Sequence, residues 1–274
     1  MEILQLKNGL NEIVDDYEVF FIDLWGVIHN GVTLNLKAIN VLDNLIKKKK
    51  RFVLMSNAPR PQKSVANFLK KMNFNQAYNE YIFTSGDAAI NSLKLNLHGK
   101  IFFHLGPKRD EDLFFQFKEK KKENLNDAEF ILCTGLFDNQ ENDLSYYRNL
   151  LKNHIDKKMI CTNPDLIVHR DKTEEYCAGS VAKIFEEIGG KVIYYGKPYP
   201  DIYKSCIKNE EKILAIGDNL NTDTKGANNM KFHSLLILNG IHKEEFKDME
   251  LNSINEVLKK YRVTINYYQD ELIW

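Results

Sequence analysis

Short, uniformly apolar runs alternate along this chain with stretches of helical period. Val19-Phe-Phe-Ile22, Phe52-Val-Leu-Met55 and Tyr81-Ile-Phe83 are three such runs near the amino terminus. Val192-Ile-Tyr-Tyr195, Ile213-Leu-Ala-Ile216 and Leu235-Leu-Ile-Leu238 are three more towards the other end. A run with no polar alternation has both faces covered, as strands of a parallel sheet between helices do. Between the first two runs, Ala38, Ile39, Val41, Leu42, Leu45 and Ile46 recur at the three-to-four spacing of a helix packed on such a sheet. Pro59 and Pro61 then interrupt the chain before a helix expected around residues 63–71.

A second series fills the interval from about residue 88 to 190. It holds Ile101-Phe-Phe103, Phe130-Ile-Leu-Cys133 and Met159-Ile-Cys161 as strands, with helices expected over 110–121 and 144–154. These strands do not end in the charged residues that mark the outer series. The pattern therefore predicts an α/β fold with a doubly wound parallel-sheet core, residues 1–87 and 191–274. A smaller α/β domain, residues 88–190, is inserted within it.

Composition removes several function classes. Lys and Arg total 38, as do Asp and Glu, so net charge recommends neither nucleic acid nor an anionic membrane as partner. The lysine runs 47–50 and 120–122 lie near helix ends and read as solvated charge. Cys133, Cys161, Cys177 and Cys206 form no metal-binding or disulfide pattern and fit reduced thiols. With no signal-like amino terminus and no apolar run of membrane length, the expectation is a soluble, cytoplasmic protein.

Ligands of an open parallel sheet gather beyond the carboxyl ends of its strands. Asp23, Ser56 and Asp218 each fall within a residue or two of such an end. Any one of them reads equally as a loop residue or a helix cap. The ordered set is another matter, because independent coincidences multiply. Lys197, in Gly196-Lys197-Pro198, adds an ammonium, although this tripeptide is also an ordinary turn.

These stretches resemble the haloacid dehalogenase (HAD) superfamily of hydrolases over the whole chain. The nearest form is its class IIA branch, the NagD-like and p-nitrophenyl phosphatase-like enzymes. Asp23-Leu-Trp-Gly-Val-Ile-His-Asn-Gly31 stands at the first motif, Leu54-Met-Ser-Asn57 at the second and Tyr195-Gly-Lys-Pro198 at the third. The fourth is the most specific: Gly217-Asp218, four intervening residues, Asp223, then Gly226-Ala227. The resemblance implies a HAD-like Rossmannoid core with a large α/β cap at residues 88–190. It also implies a Mg²⁺-dependent phosphatase acting on a small phosphorylated metabolite, with homodimers among its members. Asp23 would be the nucleophile. Mg²⁺ would be held by Asp23, Asp218 and the main-chain carbonyl of Trp25, with Asp223 supporting or joining them. Ser56 and Lys197 would bind the transferring phosphoryl group. Asn57 and Asn219 would orient it, Arg60 would contact substrate or cap, and Asn163 and Asp165 would belong to a cap loop able to face the site. Gly179 and Ser180, where a cap helix opens, could offer amides to an anion or simply start the helix.

Trp25 departs from that pattern. Family phosphatases carry Asp there, as general acid and then general base, and indole can be neither. Such help is worth about 10²–10⁴ in rate. Either the leaving group needs no proton, or another side chain supplies it, or the site binds a phosphorylated ligand without efficient turnover. His29 is the nearest alternative donor in sequence, and reads equally as a turn histidine. A regulatory phospho-ligand-binding protein is thus the second reading. A dehalogenase-like hydrolase attacking carbon is the third, since those family members carry an aromatic residue at this position.

Overall fold

The computed structural model describes residues 3–170, 173–208, 212–247 and 251–274. The chain divides into two compact units. One takes the residues up to Ser56, Phe68–Phe83 and Lys197–Trp274, and the other takes Asn57–Asn67 and Thr84–Gly196. Among the described residues no helix is long and apolar enough to cross a membrane.

The first unit is built on a seven-stranded sheet among the described residues. Its order is Leu4–Gln5, Tyr267–Gln269, His233–Ile237, Ile213–Gly217, Val19–Asp23, Arg51–Ser56 and Ile82–Thr84. The pairings from Leu4–Gln5 through Arg51–Ser56 are parallel, as the unbroken apolar runs require. Val19–Asp23 and Ile213–Gly217 lie side by side at the centre. From the first the chain steps outwards to 51–56, and from the second it steps the other way to 233–237 and 267–269. The strand order therefore reverses between them, which opens a crevice at their carboxyl ends. Helix Leu36–Lys47 begins at Asn35, whose side chain accepts the amides of Lys37 and Ala38, and it buries Ala38, Val41, Leu42 and Leu45. Val19, Phe21, Val53, Met55, Ile202 and Tyr203 pack together as part of the core.

The second unit carries its own five-stranded parallel sheet, in the order Lys191–Tyr194, Lys158–Cys161, Phe130–Cys133, Phe102–Leu105 and Lys121–Lys122. Lys191–Tyr194 corrects an expectation. The apolar run there reads like the outer series, but its strand pairs with Lys158–Cys161 and belongs to the inner sheet. An apolar run identifies a strand and carries no information about which sheet receives it; this one is a half-buried edge strand. The helix expected over 110–121 is a narrow 3₁₀-type helix, Lys108–Lys120, kinked at Phe117. Of its aromatic run, Phe114 and Phe117 are core residues, whereas Phe115 is exposed with the Lys118 ammonium 5.2 Å above its ring. An antiparallel hairpin, Ile167–Arg170 with Thr173–Tyr176, completes the unit. All four cysteines are buried free thiols.

His104 lies inside the strand Phe102–Leu105, with Nε2 2.9 Å from Thr134 Oγ1. Burial pushes its imidazole down to about 4, with the Lys121 ammonium acting in the same direction. Its folded pKa lies below that of an unfolded histidine, so the unfolded chain takes up the proton first as pH falls. The stability this neutral histidine contributes is complete above pH 6.5 and is lost as pH falls towards 4. We expect His104→Gln to flatten the stability–pH curve across that window by up to about 1.4 kcal/mol per pH unit. Urea unfolding at half-unit intervals of pH reads this directly, and parallel curves for the two proteins would refute it.

Candidate active site

The strand Val19–Asp23 is apolar up to its last residue, so its ladder carries one carboxylate to the crevice. Asp23 pairs with Met55, which places Ser56 at the end of the neighbouring strand one residue further on. On the other side Ile22 pairs with Ile216, so Gly217 ends level with Asp23 and Asp218 follows it. A single wide π-type turn, Leu220–Thr224, then supplies Asp223. Lys197 lies where the chain re-enters this unit. Asp23, Ser56, Lys197, Asp218 and Asp223 are all buried.

Lys197 Nζ donates to Asp23 Oδ1 and, at 2.6 Å, to Asp223 Oδ1. Asp23, Asp218 and Asp223 offer oxygens that all lie within 4.8 Å of one another. Burial raises the Asp23 carboxyl well above its ordinary range; Lys197 opposes this, while Asp223 and Asp218 add to it. Asp218 is pushed up to about 7 by burial and Asp223, against the Ile241 amide, which donates to Asp218 Oδ2 at 2.8 Å. Lys197 is held above the ordinary lysine range: burial works against its charge, but Asp223 and Asp23 outweigh it. Three carboxylates against one ammonium leave two negative charges uncompensated when all are ionised. A divalent cation with a preference for oxygen ligands balances them.

Glycines make room for these carboxylates. A Cβ on Gly26 or on Gly240 would lie 2.2 Å from Asp218 Oδ2, and Gly26 also has φ of +95°. A Cβ on Gly217 would lie 2.1 Å from Asp223 Cγ. Asp223 Oδ2 also accepts the Asn219 amide at 3.2 Å, so Asn219 acts here through its backbone. The donor set is thus all oxygen, fixed on several sides, and fits a hard divalent cation. Sequence reading missed Gly240 and Ile241, although Asn239-Gly240 after an apolar run is a turn signal.

Trp25 is half-buried. Its indole is stacked on Phe68, with centroids 6.5 Å apart and planes 6° apart, and meets His29 edge-on at 5.1 Å. A Cβ on Gly31 would come within 2.7 Å of the indole. The bridge that pairs Trp25 with His29 uses the Gly26 amide and the Leu24 carbonyl, leaving the Trp25 carbonyl outside it. His29 is buried; Nδ1 accepts the Gly31 amide at 3.0 Å, and burial pushes the imidazole down to about 4.

The remaining candidates belong to the second unit. Asn57 Nδ2 donates to Asp165 Oδ1 at 3.0 Å, and Asn163 Oδ1 accepts the Asp165 amide at 3.1 Å, so these three form one cluster. Arg60 Nε donates to Asp110 Oδ1 at 3.0 Å; Asp110 is 2% exposed. Gly179 packs against the carbonyls of Pro164 and Asp165, and Ser180 Oγ donates to the Leu166 carbonyl at 2.7 Å. Carbonyl oxygens crowd this helix start, which makes it a helix start and not an anion cradle.

Two family models match the chain: haloacid dehalogenase-like hydrolase over residues 20–117 and HAD-hydrolase-like over residues 194–260. A hydrolase of the haloacid dehalogenase-like family from Brucella suis 1330 is 27% identical with a TM-score of 0.81, over 97% of this chain and 99% of that one. A structure described as a possible sugar phosphatase of the HAD superfamily from Cytophaga hutchinsonii is 20% identical with a TM-score of 0.78, over 100% and 99%. A 4-nitrophenylphosphatase from Thermotoga maritima is 23% identical with a TM-score of 0.70, over 95% and 96%. No curated protein matches the chain.

Removing one member of a buried ion pair leaves the other charge uncompensated. We expect Lys197→Met to lose about 3–5 kcal/mol of stability at pH 7. The loss should shrink as pH falls and the facing carboxylates take up protons. Urea unfolding of both proteins at pH 7 and pH 5 tests this; equal losses at both would mean that charge repulsion is not the cause.

Proposed function

We propose that this chain, which belongs to the haloacid dehalogenase-like hydrolases, is a Mg²⁺-dependent phosphatase of a small phosphorylated metabolite. The observation that carries this reading is the Asp23–Lys197–Asp223 bridge beside Asp218, at the point where the strand order reverses. The phosphatases among the structural neighbours share the fold in which the reading places the chain.

A carboxylate oxygen of Asp23 attacks phosphorus, and the bond from phosphorus to the leaving oxygen breaks with its electron pair going to that oxygen. Water then cleaves the resulting aspartyl-phosphate, releasing inorganic phosphate and restoring Asp23. Lys197, charged and fixed between Asp23 and Asp223, offsets negative charge on the nucleophile and the transferring group. Ser56, ending the adjacent strand, donates to a phosphoryl oxygen. Asp23, Asp218 and the Trp25 carbonyl would hold Mg²⁺, with Asp223 beside them; the bound ion supplies charge neutralisation of the phosphoryl oxygens.

We assign His29 to packing. Burial pushes its imidazole down to about 4, so the neutral ring fills this site at pH 7. With Trp25 and His29 both engaged in an aromatic cluster, the substrate class we favour has a leaving group that departs unprotonated, such as an acyl, enol or aryl phosphate. The same cluster favours the second reading, a phospho-ligand-binding protein, if no such ester turns over.

Titration calorimetry should show Mg²⁺ binding to the native chain and its loss in Asp218→Asn; unchanged affinity would place the metal elsewhere. The rate of hydrolysis should fall steeply as the leaving group becomes more basic, aryl and acyl phosphates far outpacing alkyl ones. Trp25→Asp should flatten that dependence, raising the alkyl rate towards the roughly 10²-fold lower bound of acid catalysis. Equal wild-type rates on alkyl and aryl esters, with chemistry limiting, would show that a proton donor is already in place.

A further inference from the structure

Tyr203 sits in the short helix Pro200–Lys204 and is 1% exposed. Its ring is explained by packing: Phe21 lies 6.0 Å from it and Phe232 5.8 Å, centroid to centroid. Phenylalanine would make the same contacts. Packing does not explain the hydroxyl, which is buried and has no hydrogen-bond partner among the described residues. An unpartnered buried hydroxyl forfeits its hydration and destabilises the fold.

Space has nevertheless been kept for that hydroxyl. A Cβ on Gly226, in the helix Lys225–Met230, would lie 1.9 Å from Tyr203 Oη, so any side chain there would collide with it. Tyr203 also lines a small cavity with Lys197, Asp23 and Asp223, walled by Phe21 and Met55 among others. The cavity offers about 10 Å³ to the centre of a water molecule, which is about one water's worth. Its lining includes one tyrosine, one lysine and two aspartates, whose polar groups are enough in number for the two to four partners a buried water requires. Burial also holds the phenol far above its ordinary range, so it remains a neutral O–H donor.

We propose that Tyr203 is a positioning residue for the Lys197–Asp223 pair, acting through one buried water in the cavity that these side chains line. The hydroxyl donates to the water, and the water donates to a carboxylate oxygen. Asp223 is then held from a further direction besides Lys197 and the Asn219 amide. Lys197 stays centred while Asp23, its other partner, takes part in chemistry. Without this link the ammonium would follow Asp23 whenever that side chain moves.

The inference rests on the phosphatase reading only for its kinetic consequence. The test is Tyr203→Phe in the full chain, with three measurements. Urea unfolding should show the folding constant reduced about 5- to 30-fold, the span of one or two lost hydrogen bonds. ¹⁵N spectroscopy of the lysine side chains should show the Lys197 ammonium protons exchanging with solvent several-fold faster than in the native chain. On 4-nitrophenyl phosphate, kcat should fall with KM unchanged. A variant as stable as the native chain or more so overturns the proposal, because an unbridged hydroxyl is better removed. Lower stability with unaltered Lys197 exchange also overturns it, since the effect would then be packing alone. If the native chain hydrolyses no phosphate ester, the phosphatase reading fails, and the first two measurements still decide the role of Tyr203.

Discussion

One ammonium makes the rest of this site possible. Three carboxylates converge at the end of a buried sheet, and burial raises Asp23 and Asp218 against ionisation. Lys197 lies between Asp23 and Asp223 and changes that balance without completing it. Two negative charges remain when all three are ionised, a deficit that a divalent ion would balance. Asp23, the acidic cluster and folding stability are therefore coupled through a single side chain. Any change at Lys197 is felt in all three.

The sequence made the skeleton of this arrangement legible and left its supports hidden. Val19–Asp23, Arg51–Ser56 and Ile213–Gly217 could be located because a doubly covered strand needs an unbroken apolar run, and the polar residue that ends or follows the run marks its carboxyl end. Tyr267–Gln269 could not, being short and polar at one end, and the hairpin strand Thr173–Tyr176 is too acidic to read as a strand. Lys191–Tyr194 was visible as a strand, but sheet membership is a property of pairing and composition does not encode it. The glycines at 26, 217 and 240 were plain in the sequence, while the reason for them, a carboxylate 2–3 Å from each missing Cβ, exists only in three dimensions. Arg60 read as a contact to substrate or cap, and its partner Asp110, fifty positions away, lies within the interval 88–190.

Trp25 is held in place by aromatic packing on two sides. An aspartate at that position would need solvent or a substrate as partner. The indole instead stacks on Phe68 and meets His29 edge-on, while Gly31 leaves room for its outer ring. The indole is part of a hydrophobic wall and offers no proton donor of carboxylic strength, and the backbone leaves the Trp25 carbonyl outside the local bridge.

The second unit is assembled from two pieces of chain, and residues 57–67 are the smaller. They are tied to the larger piece by the Asn57–Asp165, Arg60–Asp110 and Gln62–Asp87 hydrogen bonds and by the Gly86 amide on the Ala58 carbonyl. Residues 84–196 thus leave part of this unit's hydrogen bonding to residues 57–67. A graft or recombination event that exchanged them alone would strand the Arg60 guanidinium and the Asn57 amide without the acids they hold. Over evolutionary time, residues 57–67 should drift in step with Asp87, Asp110 and Asp165, and not with the strand that immediately precedes them. The unit is discontinuous along the chain although it is continuous in space.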